Sequence, residues 1–239
     1  MKITLLGTGD VVGTPKVGCS CPVCAAAVAG GWSRLRTSLL VEGEGGHILI
    51  DTSPDLRQQL LNACSPRIDA VVWTHGHYDH YSGYGDFYRI QSPPTVYGAP
   101  CVVEYCASFF DFLKFERSPV EPYTPFDLFG ITITLFEVNH PPAFACGLLI
   151  ENSDVCIGYT ADTKAELPAA SLALLDGVDL LIVDAIVPPD IHIDKHMNYR
   201  EAGELARRCG AKDWRAVHIS HLMPPDLPHL GRDMETFIF

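Results

Sequence analysis

The sequence predicts an α/β protein built as an αββα sandwich, two mixed β-sheets packed face to face with helices outside. Three observations carry this. Short apolar runs recur in pairs across glycine turns, capped helical stretches separate them, and several buried runs end in histidine or aspartate. At 239 residues and 47% hydrophobic content there is apolar material for a sizeable core, and no linker or low-complexity stretch divides it, so one domain spanning 1–239 is expected.

Each element has a local reason. ITLLG (Ile3 to Gly7) and RTSLLVEG (Arg36 to Gly43) read as strands, and HILIDT (His47 to Thr52) returns after Gly45-Gly46, as in a hairpin. Ser53-Pro54 opens a helix through DLRQQLLNAC, with serine as the cap and proline at the first position. DAVVW (Asp69 to Trp73) is a buried strand by its valines, and TVYG (Thr95 to Gly98) another. A helix follows Pro100 through CVVEYCASFFDFLK, and the proline-rich 119–129 reads as a connection. ITITLFEV (Ile131 to Val138) alternates as a strand should, and CGLLIEN and DVCIGYT form a second hairpin. Residues 165–175 are helical in pattern, VDLLIVDA (Val178 to Ala185) is a buried strand, and RAVHIS the last. NYREAGELARRCG has asparagine at the cap, good helix formers and a closing glycine.

The net charge of -12, without any basic cluster, argues against charge-driven binding of nucleic acid or of an anionic membrane. No apolar run is long enough to span a bilayer, and MKITLLGTGD lacks a signal peptide's apolar core, so a cytoplasmic protein is expected. Of nine cysteines, Cys64, Cys101, Cys106, Cys146, Cys156 and Cys209 are scattered and read as small core residues.

THGHYDH, directly after DAVVW, crowds His75, His77, Asp79 and His80 into six positions. Packing needs none of them, whereas Zn, Mn or Fe wants nitrogen and carboxylate donors. Further candidates sit just after or within apolar strands: His140, Asp162, Asp184 and His218. Singly each has a plainer reading; Asp162, for example, could cap a helix beginning at TKAEL.

Taken together these residues resemble the metallo-β-lactamase superfamily, along nearly the whole chain. The resemblance rests on the HxHxDH motif, His75 to His80, with His140, Asp162 and His218 following in order. It implies a dinuclear centre of two divalent ions, Mn2+, Zn2+ or Fe2+. His75, His77 and His140 would hold one ion, Asp79, His80 and His218 the other, and Asp162 would bridge. Asp51 would orient the loop from behind, or serve as a simple turn residue. Cys19, Cys21 and Cys24 form a C-x-C-x2-C cluster, and a tetrahedral structural Zn2+ would take His221 as its fourth ligand. The alternative there is a loop of reduced, unliganded thiols.

GTGDVVGTPKVGCSCPVC, LIDTSPDLRQQLL, KHMNYREAGELA and HISH narrow the likeness to the phosphoribosyl cyclic phosphate phosphodiesterase branch. That likeness implies hydrolysis of a small, cyclic sugar phosphodiester by a metal-bound hydroxide. It also implies catalytic roles for Asp79 and for His196, as proton donor or phosphate contact. The partner implied is a small phosphorylated substrate, with a homodimer also in keeping. The chain departs from the branch at Pro141-Pro142-Ala143-Phe144, which is more apolar than a phosphosugar would call for. Hydrolysis of another ester, thioester or lactone stays open. So does an accessory role like that of the pyrroloquinoline quinone biosynthesis B protein, which resembles the chain in its cysteine cluster. A ribonuclease Z would need a long arm between His140 and Asp162, and the short hairpin there leaves no room for one.

Overall fold

The computed structural model describes residues 1–239. The first sheet contains β1 (Lys2–Gly7), β2 (Ser38–Gly43), β3 (Gly46–Ile50), β4 (Ala70–Val72), β5 (Thr95–Gly98) and β6 (Arg117–Pro119). The second contains β7 (Pro125–Leu128), β8 (Ile131–Glu137), β9 (Cys146–Glu151), β10 (Cys156–Tyr159), β11 (Leu180–Asp184) and β12 (Asp213–Val217). The last strand, β13 (Thr236–Ile238), returns to the first sheet beside β1, with Ile3 opposite Phe237. The helices are α1 (Pro22–Gly30), α2 (Leu56–Asn62), α3 (Tyr78–Tyr81), α4 (Phe87–Ile90), α5 (Pro100–Ala107), α6 (Ala169–Leu174) and α7 (Tyr199–Arg208).

Both sheets are mixed in the same way. β1, β2 and β3 pair antiparallel, after which β3 to β6 run parallel. β7 to β10 pair antiparallel, after which β10, β11 and β12 run parallel. Ile3, Leu39, Ile48 and Val71 of one sheet meet Ile133, Leu148, Ile157 and Ile182 of the other in one continuous apolar core. Burying each such side chain stabilises the fold by about 1.5–3 kcal/mol. A second core, under α6 and α7, joins Leu175, Leu181, Val183 and Leu205. This is the expected αββα sandwich.

Several boundaries differ from the sequence reading. Residues 119–129 are not a bare connection: β6 closes the first sheet and β7 opens the second. Their prolines sit on edge strands, where a missing N–H costs least, and Phe126 stacks on Tyr97 at 5.4 Å. The helix after Ser53 begins only at Leu56. Ser53 Oγ is engaged by the Asp55 N–H, and the Asp55 carboxylate by Arg36 at 2.9 Å. α5 stops at Ala107, beyond which Phe110 and Leu113 turn into the core. α7 has the full reciprocal cap: Asn198 accepts from the Glu201 N–H, and Glu201 accepts from the Asn198 N–H. No helix is long and apolar enough to cross a membrane.

Candidate metal centre

The parallel strands end at a common edge, and the polar cluster hangs from those ends. β3 runs into Asp51, β4 into Thr74 and His75, β10 into Asp162, β11 ends in Asp184, and β12 runs into His218. Three residues there adopt a left-handed backbone: Asp51 at φ 59°, Ala161 at φ 50° and His218 at φ 57°. That conformation costs a non-glycine residue about 1–2 kcal/mol, and such strain gathers at functional sites. His218 thus lies just beyond β12 rather than within it.

The side chains divide into two groups sharing one carboxylate. His77 Nδ1 lies 3.1 Å from His75 Nε2 and 3.0 Å from His140 Nε2. Asp162 Oδ2 stands 3.6 and 3.9 Å from those two Nε2 atoms. On its other side the same oxygen is 3.5 Å from His80 Nε2 and 3.4 Å from His218 Nε2. Asp79 Oδ2 completes that group, 3.5 Å from His80 Nε2 and 3.4 Å from His218 Nε2. All seven side chains expected from the motif therefore converge.

What lies behind the histidines fixes their tautomers. His80 Nδ1 donates to Asp51 Oδ2 at 2.7 Å, and His140 Nδ1 to the Lys195 carbonyl at 3.0 Å. Thr74 Oγ1 gives its proton to Asp51 Oδ2 and so accepts from His75 Nδ1. His75 and His140 then turn an Nε2 lone pair inward, as metal-binding histidines do when their other nitrogen is held, and His80 can do so once its Nε2 proton is displaced. Asp51 is fully buried and also accepts the Thr74 N–H at 2.9 Å, so it orders both halves of THGHYDH. Buried His80 Nε2 and Asp162 Oδ1 have no hydrogen-bond partner. An orphaned group of this kind costs about 1–3 kcal/mol, and a divalent cation between the two groups would satisfy both. The donor set fits a metal.

The electrostatics agree. Burial first, then the neighbouring imidazoles, holds His75 well below the ordinary histidine range, and burial lowers His77 and His140 too. His80 and His218 go the other way. Against burial, Asp162 with Asp79 and Asp51 holds His80 well above its usual range, and Asp162, Asp184 and Asp79 do so for His218. Asp162 is depressed in turn, despite burial, by His218 and His80. A cation entering here displaces protons from His80 and His218, so its uptake strengthens as pH rises.

His196 and Asp184 stand beside the cluster. Asp184, a strand-end candidate in the sequence, turns its Oδ2 to His196 Nδ1 at 2.7 Å and to the Thr163 N–H at 2.9 Å. Its Oδ1 lies 3.7 Å from His218 Nδ1. The His196 ring stacks on His218 at 5.0 Å and edges against His140 at 4.7 Å. Pattern alone could flag Asp184; only the fold shows that it stands behind His218 and holds His196 at the edge of the centre.

The cysteine cluster forms a separate site. Cys19 Sγ and Cys21 Sγ each lie 3.5 Å from His221 Nδ1, with Cys24 beside them. Zn–S bonds of about 2.3 Å and Zn–N bonds of about 2.0 Å in a tetrahedron set S···N at about 3.5 Å, so these donors fit zinc. The Cys24 N–H, then the His221 ring, pulls the Cys21 thiol down to about 6. In metal-stripped protein, iodoacetamide should therefore alkylate Cys21 with a rate midpoint near pH 6, read by peptide mass spectrometry. A midpoint near the ordinary value of about 8.5 would contradict that environment. Cys64 and Cys101, expected in the core, are exposed: one follows α2 in the left-handed region and the other opens α5.

Residues 47–219 match the beta-lactamase superfamily domain. The chain belongs to the metallo-β-lactamase superfamily. A solved diphosphatase of the PhnP family superposes with a TM-score of 0.86 at 29% identity, over 100% of this chain and 97% of that one, which places this metallo-β-lactamase-fold protein close to the PhnP branch. The coenzyme PQQ synthesis protein B of Methylobacterium nodulans is 40% identical over 78% of this chain and 76% of its own length. The octanoyltransferase of Porphyromonas gingivalis is 30% identical over 96% of this chain, which spans only 48% of that protein. Fold and donor set are those of a divalent-metal-dependent hydrolase of this superfamily.

Proposed function

We propose that this hydrolase cleaves a small phosphodiester. The observation that carries the reading is the pairing of the seven-residue His/Asp cluster with a histidine held at its edge by Asp184. Likeness to the PhnP-family diphosphatase supports phosphoryl chemistry. Divalent ions in the cluster would lower the pKa of water toward neutrality and offset charge on phosphoryl oxygens. Asp184 accepts a hydrogen bond from the Nδ1–H of His196 and fixes the ring between His140 and His218. That leaves Nε2 to pass a proton to the departing oxygen. His75, His77 and His140, kept neutral by burial, suit metal coordination rather than acid catalysis.

Hydrolysis of an acyl thioester or ester is the second reading, favoured by an apolar cavity beside His77 and by the name of the octanoyltransferase relative. The test is steady-state turnover by manganese-reconstituted protein of phosphoribosyl 1,2-cyclic phosphate, bis-p-nitrophenyl phosphate and octanoyl thioester. Turnover of either phosphodiester, with the thioester at least tenfold slower in kcat/KM, is the expected result. Turnover of the thioester alone would establish the second reading, and a metal-free or inert cluster would favour an accessory role.

A further inference from the structure

A cavity of about 370 Å³ opens beside the cluster, and no charged residue lines it. Its walls come from three segments, two of which also build the centre. Gly76 and His77 belong to the metal-binding loop. Pro142 and Phe144 lie two and four residues after His140, and Cys101 and Tyr105 lie on the first two turns of α5. The Tyr105 ring fits because residue 76 is glycine: a Cβ there would lie 2.6 Å from its Cδ1. His77 belongs to both places, with Nδ1 among the ligand atoms and its residue in the cavity wall. Cys101, Tyr105 and Phe144 remain exposed, leaving apolar surface at the mouth with nothing from this chain covering it.

We propose that this cavity is the substrate-specificity subsite, and that it takes an uncharged hydrocarbon group esterified to the phosphate that reaches the metals. The proposal rests on the phosphodiester reading above. A phosphosugar would bring several hydroxyl groups to a lining whose polar side chains are only His77, Cys101 and Tyr105, with His77 already engaged by the cluster, and burying hydroxyls unpaired is unfavourable. A hydrocarbon loses only its contact with water. The reaction balances as a hydrolysis: water adds its oxygen to phosphorus, and the P–O bond to the departing group breaks with its electron pair. The water protons finish on the two products or in solvent.

The probes are p-nitrophenyl methyl, propyl, pentyl and octyl phosphate diesters, where the departing group is constant and the retained chain grows. With manganese-reconstituted protein, kcat/KM should rise about fourfold per methylene until the cavity is full. Cys101→Trp, which fills it, and Tyr105→Ala, which removes a wall, should each flatten that dependence. Calorimetric binding of the free alkyl phosphates should show the same trend without turnover. Turnover with a flat profile, or a slope unchanged in both variants, would overturn the subsite and leave the phosphodiester reading standing. Binding that tightens with chain length while no ester turns over would keep the subsite and overturn that reading. Neither turnover nor chain-dependent binding would overturn both.

Discussion

Asp162→Ala should fold, keep zinc at the cysteine cluster, and hold no divalent metal at the His/Asp centre after dialysis. One oxygen of this carboxylate lies within 3.9 Å of His75, His80, His140 and His218, so no other side chain touches both halves of the cluster in this way. Its removal leaves two histidine groups with nothing negative between them. Metal assistance is worth several kcal/mol, so turnover should fall by on the order of 10³-fold or more. Metal analysis beside the assay separates the causes. A variant that keeps its full metal content and loses only rate would show that Asp162 is not shared between the two groups.

His196→Ala should do the reverse: keep the metals and lose the proton. Removing a general acid lowers turnover by about 10²- to 10⁴-fold. The loss should depend on the departing group. Esters of p-nitrophenol, which leaves readily as an anion, should be cleaved almost as before, and alkyl esters should bear the full loss. Imidazole added to the medium should restore part of the alkyl-ester rate. An equal loss for both ester classes, with no rescue, would recast His196 as a residue that only positions the phosphoryl group.

The sequence is most informative where chemistry and pattern coincide. THGHYDH follows a run too apolar to be anything but a buried strand, and the later candidates sit at or near the ends of strands marked by their own β-branched content. The αββα layering could be read from the same alternation. What escaped is decided at longer range. Residues 125–128 form a strand because Phe126 finds Tyr97 in the other sheet, and Thr236–Ile238 because the edge of β1 is free to receive them. Neither segment carries a period long enough to register. Cys101 looked like core material since its neighbours Val102 and Val103 are buried, but its own position on α5 faces out. Asp184 was visible as an ionisable strand end, and its task became clear only with His196 placed against it.

One feature of the layout sets a schedule. Cys19 and His221 meet across 202 positions, and His218 joins Asp79 across 139. Loops of that length close slowly, because the entropy of bringing their ends together is spent before any contact rewards it. The left-handed turn at His218 sends one ligand to each site within four residues. As the chain leaves the ribosome, both sites therefore wait for the same late segment. Until it arrives the cysteines and the THGHYDH loop are incomplete cradles, open to whichever ion or oxidant reaches them first. Filling of either site by a metal would then have to follow the docking of residues 218–221.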